Sequence, residues 1–321
     1  MKVVFMGTPD FSVGTLEALV EAGYEITGVV TQPDKPKGRG KQMMPTPVKE
    51  AAEKHGLPVY QPRRVRDAEA IEEIRKMEPD VIVVVAFGQI ITKEILEMPK
   101  YGCINVHASL LPAYRGAAPI QWAVMNGDPV SGVTIMKMDE GIDTGEMLSK
   151  VEIPLASDET GGSLFDKLSA AGAKLLVETL PKIEKGEITP EKQPKESTTA
   201  YARMIKKEDG RIDWTKSAIE IAALCVYKRN TIICDSQIFK GTLCRSICTN
   251  LEFFKQIVLL YICILNCKTG LCIFSSCVFI RSISRLPGNL ICSPSCYLNW
   301  EQFFIYLCII TANTIGIRCS S

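Results

Sequence analysis

Residues 1–221 of this 321-residue chain hold one cysteine, Cys103, and the whole chain holds only two histidines, His55 and His107. A lone thiol leaves no disulfide framework there and points to a reducing compartment. The apolar run before Gly7 is four residues long, against the ~7–15 of a secretory core, so a cytoplasmic location is expected. "FMGTPDF" stands where a dinucleotide fold would carry GxGxxG and keeps one of its three glycines, which excludes a nicotinamide or flavin cofactor. GxxxxGK[ST], HExxH and GxSxG are missing as well, so a phosphate loop, a zinc protease and a hydrolase elbow are set aside, and no metal is expected.

What is present is a soluble globular profile, 46% hydrophobic and 23% charged, with room for two domains. The net charge of +1 hides a split. Residues 1–221 hold 28 Lys+Arg against 33 Asp+Glu, and residues 222–321 hold 9 against 3. The other twelve cysteines lie between Cys225 and Cys319.

The first part alternates in type. "KVVFMG" and "EITGVVT" flank "DFSVGTLEALVEAGY", where Leu16, Leu19 and Val20 fall at helical spacing, Ser12 is the expected cap and Gly23 the stop. "TPVKEAAEKHG" predicts a helix with Thr46 as N-cap and Pro47 in its first position. A helix with Ile71, Ile74 and Met77 on one face then feeds "VIVVVAF", the kind of run buried on both faces of a parallel sheet. "GCINVHA" is the next strand, "APIQWAVMNGD" a helix, "GVTIMKM" and "EMLSKVEIP" a strand pair, and "GGSLFDKLSAAGAKLLVETLPKIEKG" a long helix ending at Gly186. This alternation predicts an α/β fold, a Rossmann-like doubly wound and mostly parallel sheet, over residues 1–186.

Two residues apart on a strand, Asn105 and His107 point to one face. The loop "MDEGIDTGEM" adds Asp139, Glu140 and Asp143. Taken singly, these fit a satisfied buried histidine and a polar hairpin turn. Together, a carboxylate, an imidazole and a carboxamide form an acyl-transfer set that needs no protein nucleophile. An amine can attack a carbonyl directly if one group takes its proton and another holds the oxyanion. An imidazole suits the first task, a neighbouring Asp fixes its tautomer, and an Asn amide serves the second. Ser109 follows His107 too closely to form a Ser-His pair in a relaxed strand.

Beyond these residues, "FMGTPDFSV", "TQPDKPKGRGKQMMPTPVK", "INVHASLLPAYRGAAPIQWA", "MDEGIDTGEML" and "YARMIKKEDGRIDW" resemble the methionyl-tRNA formyltransferase family, in order, over residues 1 to about 221. The resemblance implies formyl transfer from 10-formyltetrahydrofolate to the amino group of initiator methionyl-tRNA, by a monomer. It implies that Asn105 polarises the formyl oxygen, His107 acts as base or oxyanion partner, and Asp143 orients His107. Ser109, Leu110, Leu111 and Pro112 match the family's folate-binding turn, and Phe87 and Gly88 are counted with them. The loop from Thr31 to Lys49 carries Lys35, Lys37, Arg39, Lys41 and Lys49 against Asp34. Such a cationic arm suits phosphate contacts, though charge alone also fits a solvated loop. In the family a loop here enters the acceptor stem, with Arg39 at the matching position. The alternatives are a sugar-nucleotide or other formyltetrahydrofolate-dependent transferase, or an inactive copy that keeps only folate binding.

After Gly186 the chain becomes rich in Pro, Thr and Lys, and residues 187–221 are expected to be a linker and the start of a further domain. The family would continue into a small β-barrel. Residues 222–321 carry no such pattern. Irregular pairs such as Cys263/Cys267 suggest zinc only weakly, and Lys268 splits the apolar segment 256–280 below the ~18 residues of a span. The expectation for this atypical Cys-rich tail is translation outside the normal frame.

Overall fold

The structure, a computed structural model, describes residues 1–37, 42–156, 159–211 and 213, together with Leu224. The tail expectation lies outside these residues. In chain order the strands are β1 (Lys2–Gly7), β2 (Glu25–Val30), β3 (Lys35–Lys37), β4 (Gln42–Met44), β5 (Val59–Tyr60), β6 (Val81–Val85), β7 (Cys103–His107), β8 (Val130–Lys137) and β9 (Met147–Pro154). The helices are α1 (Asp10–Glu21), α2 (Pro47–Lys54), α3 (Ala68–Lys76), α4 (Lys93–Leu96), α5 (Pro119–Asn126) and α6 (Gly161–Lys185). Seven strands form one sheet in the order β5-β2-β1-β6-β7-β8-β9. The pairs from β5 to β7 are parallel, while the β7–β8 and β8–β9 pairs are antiparallel. The mostly parallel, doubly wound sheet is the expected one.

Strand β6 shows why the run is continuous. Val81, Val83 and Val85 enter the core shared with Leu16 of α1 and Leu176 of α6, whereas Ile82 and Val84 enter the opposite core with Ile74 of α3 and Ile95 of α4. Neither face meets water, so both need apolar side chains. The same alternation on β7 sends Ile104 and Val106 toward α6 and leaves Cys103, Asn105 and His107 on the other face.

Local signals explain most boundaries. The Thr46 side chain accepts the Lys49 N–H at 3.2 Å and Pro47 opens α2, as expected. Thr160 and Ser163 form a reciprocal capping box on α6, and Gly186, at φ +66°, ends that helix in the left-handed region. Ser12 corrects an expectation. Helix α1 starts after Pro9, and the Ser12 hydroxyl is already inside it, donating to the Val85 carbonyl at 2.6 Å. It pins the helix to the sheet instead of capping it.

Two buried titratable groups give checks on this packing. Burial pushes the Cys103 thiol up to about 12, and its Sγ–H points at the Ile95 carbonyl. Since thiolate is the reactive form, Cys103 is expected to stay unmodified when the native chain is alkylated at pH 8 and its peptides are mapped, and to react only in denaturant. Burial alone would raise the Glu159 carboxyl. Donors from Lys167, Ser163 and the Ala156 N–H outweigh it, so its pKa lies below the usual value. A lowered folded pKa contributes stability that is present above the unfolded value of 4.5 and lost as pH falls through the folded one. Glu159→Gln is therefore expected to cost roughly 1–3 kcal/mol at pH 7 and progressively less below pH 4.5, read by denaturant titration.

Candidate active site

The parallel strands β1, β6 and β7 end at one edge, where ligands of such sheets collect. On β7, Asn105 lies between Val84 and Met136, and His107 lies opposite Thr134 of β8. Both are buried, at 9% and 6% exposure. Over β7 and β8 this sheet face is closed by two loops, the turn after His107 and the loop between β8 and β9.

The turn after His107 is held from several sides. The Thr134 hydroxyl donates to the Ser109 carbonyl at 2.7 Å and accepts the Leu111 N–H at 3.0 Å. Ser109 donates to the Ala113 carbonyl at 2.6 Å, not to His107. The Leu111–Pro112 peptide is cis. Leu111 packs in a small apolar cluster with Met136 and Met147, while Leu110 lies against Gly132. Thr134 was not expected from the sequence, although a threonine inside the apolar run "GVTIMKM" was a usable signal.

The loop carrying Asp143 starts beside Ile104, at the far end of β7 from His107, because β8 runs antiparallel. It then folds back along the sheet face. Asp143 Oδ1 comes to 3.7 Å from His107 Nδ1, and Asp143 Oδ2 accepts the Gly116 N–H at 2.8 Å. Asp143 has φ +53°, an uncommon conformation for a residue with a side chain. A hairpin turn for its own sake would place no carboxylate against an imidazole 36 positions earlier in the chain.

The tautomer of His107 follows from its other nitrogen. Nε2 lies 3.0 Å from the Tyr114 carbonyl oxygen, which can only accept, so Nε2 carries the hydrogen. Nδ1, facing Asp143, is the nitrogen free to gain or lose a proton. The Tyr114 carbonyl thus bears on the tautomer beside Asp143, the group to which the sequence reading gave that task. Tyr114 is itself locked, with φ +54° and its hydroxyl donating to Asp128 Oδ2. Burial, followed by the hydrogen bond to Asp128, pushes that phenol up to about 12. No sequence signal marks a carbonyl for such a role.

The Asn105 carboxamide makes no hydrogen bond among the described residues, and so keeps its donors for a ligand. The set thus offers an amide donor, a nitrogen able to take a proton and a carboxylate behind it, all on one face. The carbonyl of Phe87 is occupied by Thr8 and Gln32, and Gly88 has φ +78° against the Gln32 side chain. Two clefts, one lined by Lys137, Asp139 and Gln193 and one by Lys93, Lys100 and Glu140, contain none of Asn105, His107 or Asp143. Among the described residues no group of His, Cys, Asp or Glu is placed to hold a metal, and no helix is long and apolar enough to cross a membrane.

Of the cationic arm, β3 and β4 form a small antiparallel hairpin with exposed Lys35, whose Nζ donates to Gln32 Oε1 at 2.6 Å. Arg39 and Lys41, and the Lys37 side chain, lie outside the described residues. Lys49 differs from expectation. It pairs with Asp34 at 2.9 Å and is not a free cation, and Gln61 donates to the same carboxylate. The Gln61 hydrogen bond, followed by that of Lys49, holds the Asp34 carboxyl below its usual range.

Comparisons with known proteins agree with this fold. Residues 1–180 match the family described as formyl transferase. The methionyl-tRNA formyltransferase of Agathobacter rectalis is 65% identical over 225 residues, which is 70% of this chain and 72% of that protein. The enzyme of the same name from Citrifermentans bemidjiense is 58% identical over 68% of each chain. Among solved structures, a 4-N formyltransferase from Francisella tularensis aligns with a TM-score of 0.55 at 18% identity, covering 74% of this chain and 93% of that one. An N-formyltransferase from Helicobacter canadensis, solved with folinic acid and dTDP-3-aminofucose, gives 0.53 at 20% identity over 70% and 79%.

Proposed function

Since the chain belongs to the formyl transferase family, we propose that it moves a formyl group from 10-formyltetrahydrofolate to the amino group of methionyl-tRNA, with Asn105, His107 and Asp143 as the acting residues. The donor supplies an N-formyl group. The observation that carries the reading is the His107 arrangement: Nε2–H committed to the Tyr114 carbonyl, and Nδ1 open beside Asp143.

The chemistry follows from that commitment. As the amine nitrogen bonds to the formyl carbon, negative charge gathers on the formyl oxygen, and the Asn105 amide can donate to it. The amine must also lose a proton, which His107 Nδ1 accepts, and the resulting imidazolium faces the Asp143 carboxylate. The bond from the formyl carbon to the folate nitrogen then breaks, and the leaving nitrogen takes the proton back from His107. No protein atom becomes acylated. We assign the folate ring to the turn Ser109 to Pro112, with Phe87 and Gly88. Its fit rests on the free Asn105 carboxamide and on half-buried Leu110, with Leu111 packed behind the turn.

The acceptor is tRNA because of the arm. Lys35 and Lys37 belong to β3, Arg39 and Lys41 follow them in the sequence before β4, and a small amine substrate would need no such device. Phosphate contacts make affinity fall with salt, so Arg39→Ala and Lys35→Ala are each expected to lower the slope of log affinity against log salt by about 1. The acceptor class is tested by competition among methionyl-tRNA, an amino-sugar nucleotide and phosphoribosylglycinamide at equal concentration. Formylation of methionyl-tRNA in preference supports the reading, and preference for either small amine overturns it.

A further inference from the structure

The extended segment 191–203 is bonded along its length to the two loops that close the site. At one end it pairs with β9: the Met147 and Glu191 N–H groups each donate to the other's carbonyl at 2.8 Å. Next, the Gln193 amide nitrogen donates to the Asp143 carbonyl at 2.9 Å and to the Gly145 carbonyl at 2.7 Å. Gln193 Oε1 accepts from Arg115 Nε at 2.9 Å, and buried Arg115 also donates to the Pro194 and Lys195 carbonyls. One glutamine thus ties the loop of Asp143 to the residue after Tyr114.

Six residues on, Thr199 makes a second tie. Its hydroxyl oxygen accepts the Tyr114 N–H at 2.7 Å, while Ser197 donates to the Pro112 carbonyl at 2.6 Å. Tyr114 is the residue whose carbonyl sets His107 Nε2–H. Ala202 closes the run, donating to the Arg115 carbonyl and accepting from Ala118. The approach is close: a Cβ at Gly116, which donates to Asp143, would sit 2.8 Å from the Ala202 carbonyl.

From these contacts we propose that residues 191–203 are a strap that sets His107 and Asp143 relative to each other, with Gln193 and Thr199 as its positioning residues. Neither touches the reacting atoms. Gln193 acts on Asp143 through the backbone of its loop, and Thr199 acts on His107 through Tyr114. Asp143 has left-handed φ and reaches His107 only by folding back along the sheet. Within the loop Asp139 accepts from Gly141 and Thr144, and Gln193 adds two hydrogen bonds to the loop from outside it. The strap lies beyond residue 180, where the family match ends, so catalytic geometry depends on chain outside the matched domain.

The inference rests on the proposed formyl transfer for its kinetic readout but has a second readout that does not. The full chain is compared with Gln193→Glu, which keeps the acceptor for Arg115 but loses the two N–H donors, with Thr199→Val, which keeps shape but loses the hydroxyl, and with Thr199→Ser. Gln193→Glu and Thr199→Val are expected to lower kcat roughly 10-fold or more, with KM for donor and acceptor unchanged, and Thr199→Ser to restore it. In parallel, ring-nitrogen NMR follows His107, separable from the one other histidine by a His55→Gln variant. Both impaired variants should move the His107 ring signals in the direction that Asp143→Asn moves them. Unchanged His107 signals and an unchanged kcat in both variants would overturn the strap. A chain that formylates nothing would sink the formyl-transfer reading instead, and the ring signals would still decide this one.

Discussion

Replacing His107 with Ala is expected to lower formyl transfer roughly 10²–10⁴-fold, the usual contribution of a positioned acid or base. The imidazole can both take a proton from the attacking amine and return it to the leaving nitrogen. Asn105 offers only donors and an acceptor, and Asp143 is held by the Gly116 N–H. The substitution also removes the hydrogen bond to the Tyr114 carbonyl, at a cost of about 1 kcal/mol, too little to unfold the domain. Steady-state kinetics beside a circular dichroism spectrum separates the two effects. A variant folded and as fast as the parent would remove His107 from the chemistry.

The second large effect is expected at Gly145. A Cβ there would fall 1.8 Å from the Lys137 carbonyl oxygen and 3.2 Å from the Asp139 N–H nitrogen, both backbone atoms at the base of the Asp143 loop. Neither can rotate away, so the loop must shift, and it carries Asp143 with it. Gly145→Ala should cost about 1–3 kcal/mol in stability and about 100-fold in transfer, since a displacement near 1 Å is enough for that loss. Gly162→Ala is the control. Its Cβ would meet nothing closer than the Thr160 Oγ1 at 3.8 Å, in the first turn of α6, and a helical alanine is worth roughly 0.5–1 kcal/mol over glycine. Equal activity in Gly145→Ala and Gly162→Ala would refute the steric argument.

Much of the fold was legible because its signals are local. The unbroken run Val81–Val85 announces a strand buried on both faces, and Thr46, Pro47 and Gly186 mark helix ends by backbone chemistry that operates within a few residues. Ser12 misled because a serine near a helix start can serve tertiary contacts as well as caps, and here the Val85 carbonyl takes its hydroxyl. Asn105 and His107 were legible as a pair because a strand has a period of two. Their relation to Asp143 came from residue chemistry and the family resemblance and not from spacing, since the path itself depends on a loop folding back along an antiparallel strand. The strap was invisible for a related reason: an extended segment held by Gln193 and Thr199 shows no hydrophobic period, and its partners are backbone groups and the Arg115 side chain. Lys49 likewise counted as a free cation until its distance to Asp34 was known.

The central claim is direct transfer from folate to the aminoacyl amine at the Asn105–His107–Asp143 face. It is tested by one quenched turnover of the full chain with formyl-labelled 10-formyltetrahydrofolate and methionyl-tRNA, with label counted separately on RNA-linked methionine and on protein. The account predicts label on the methionine amino group and none on protein at any time, with both signals absent in His107→Ala. Label that first accumulates on the protein, or a parent chain that leaves methionyl-tRNA unlabelled, would contradict it.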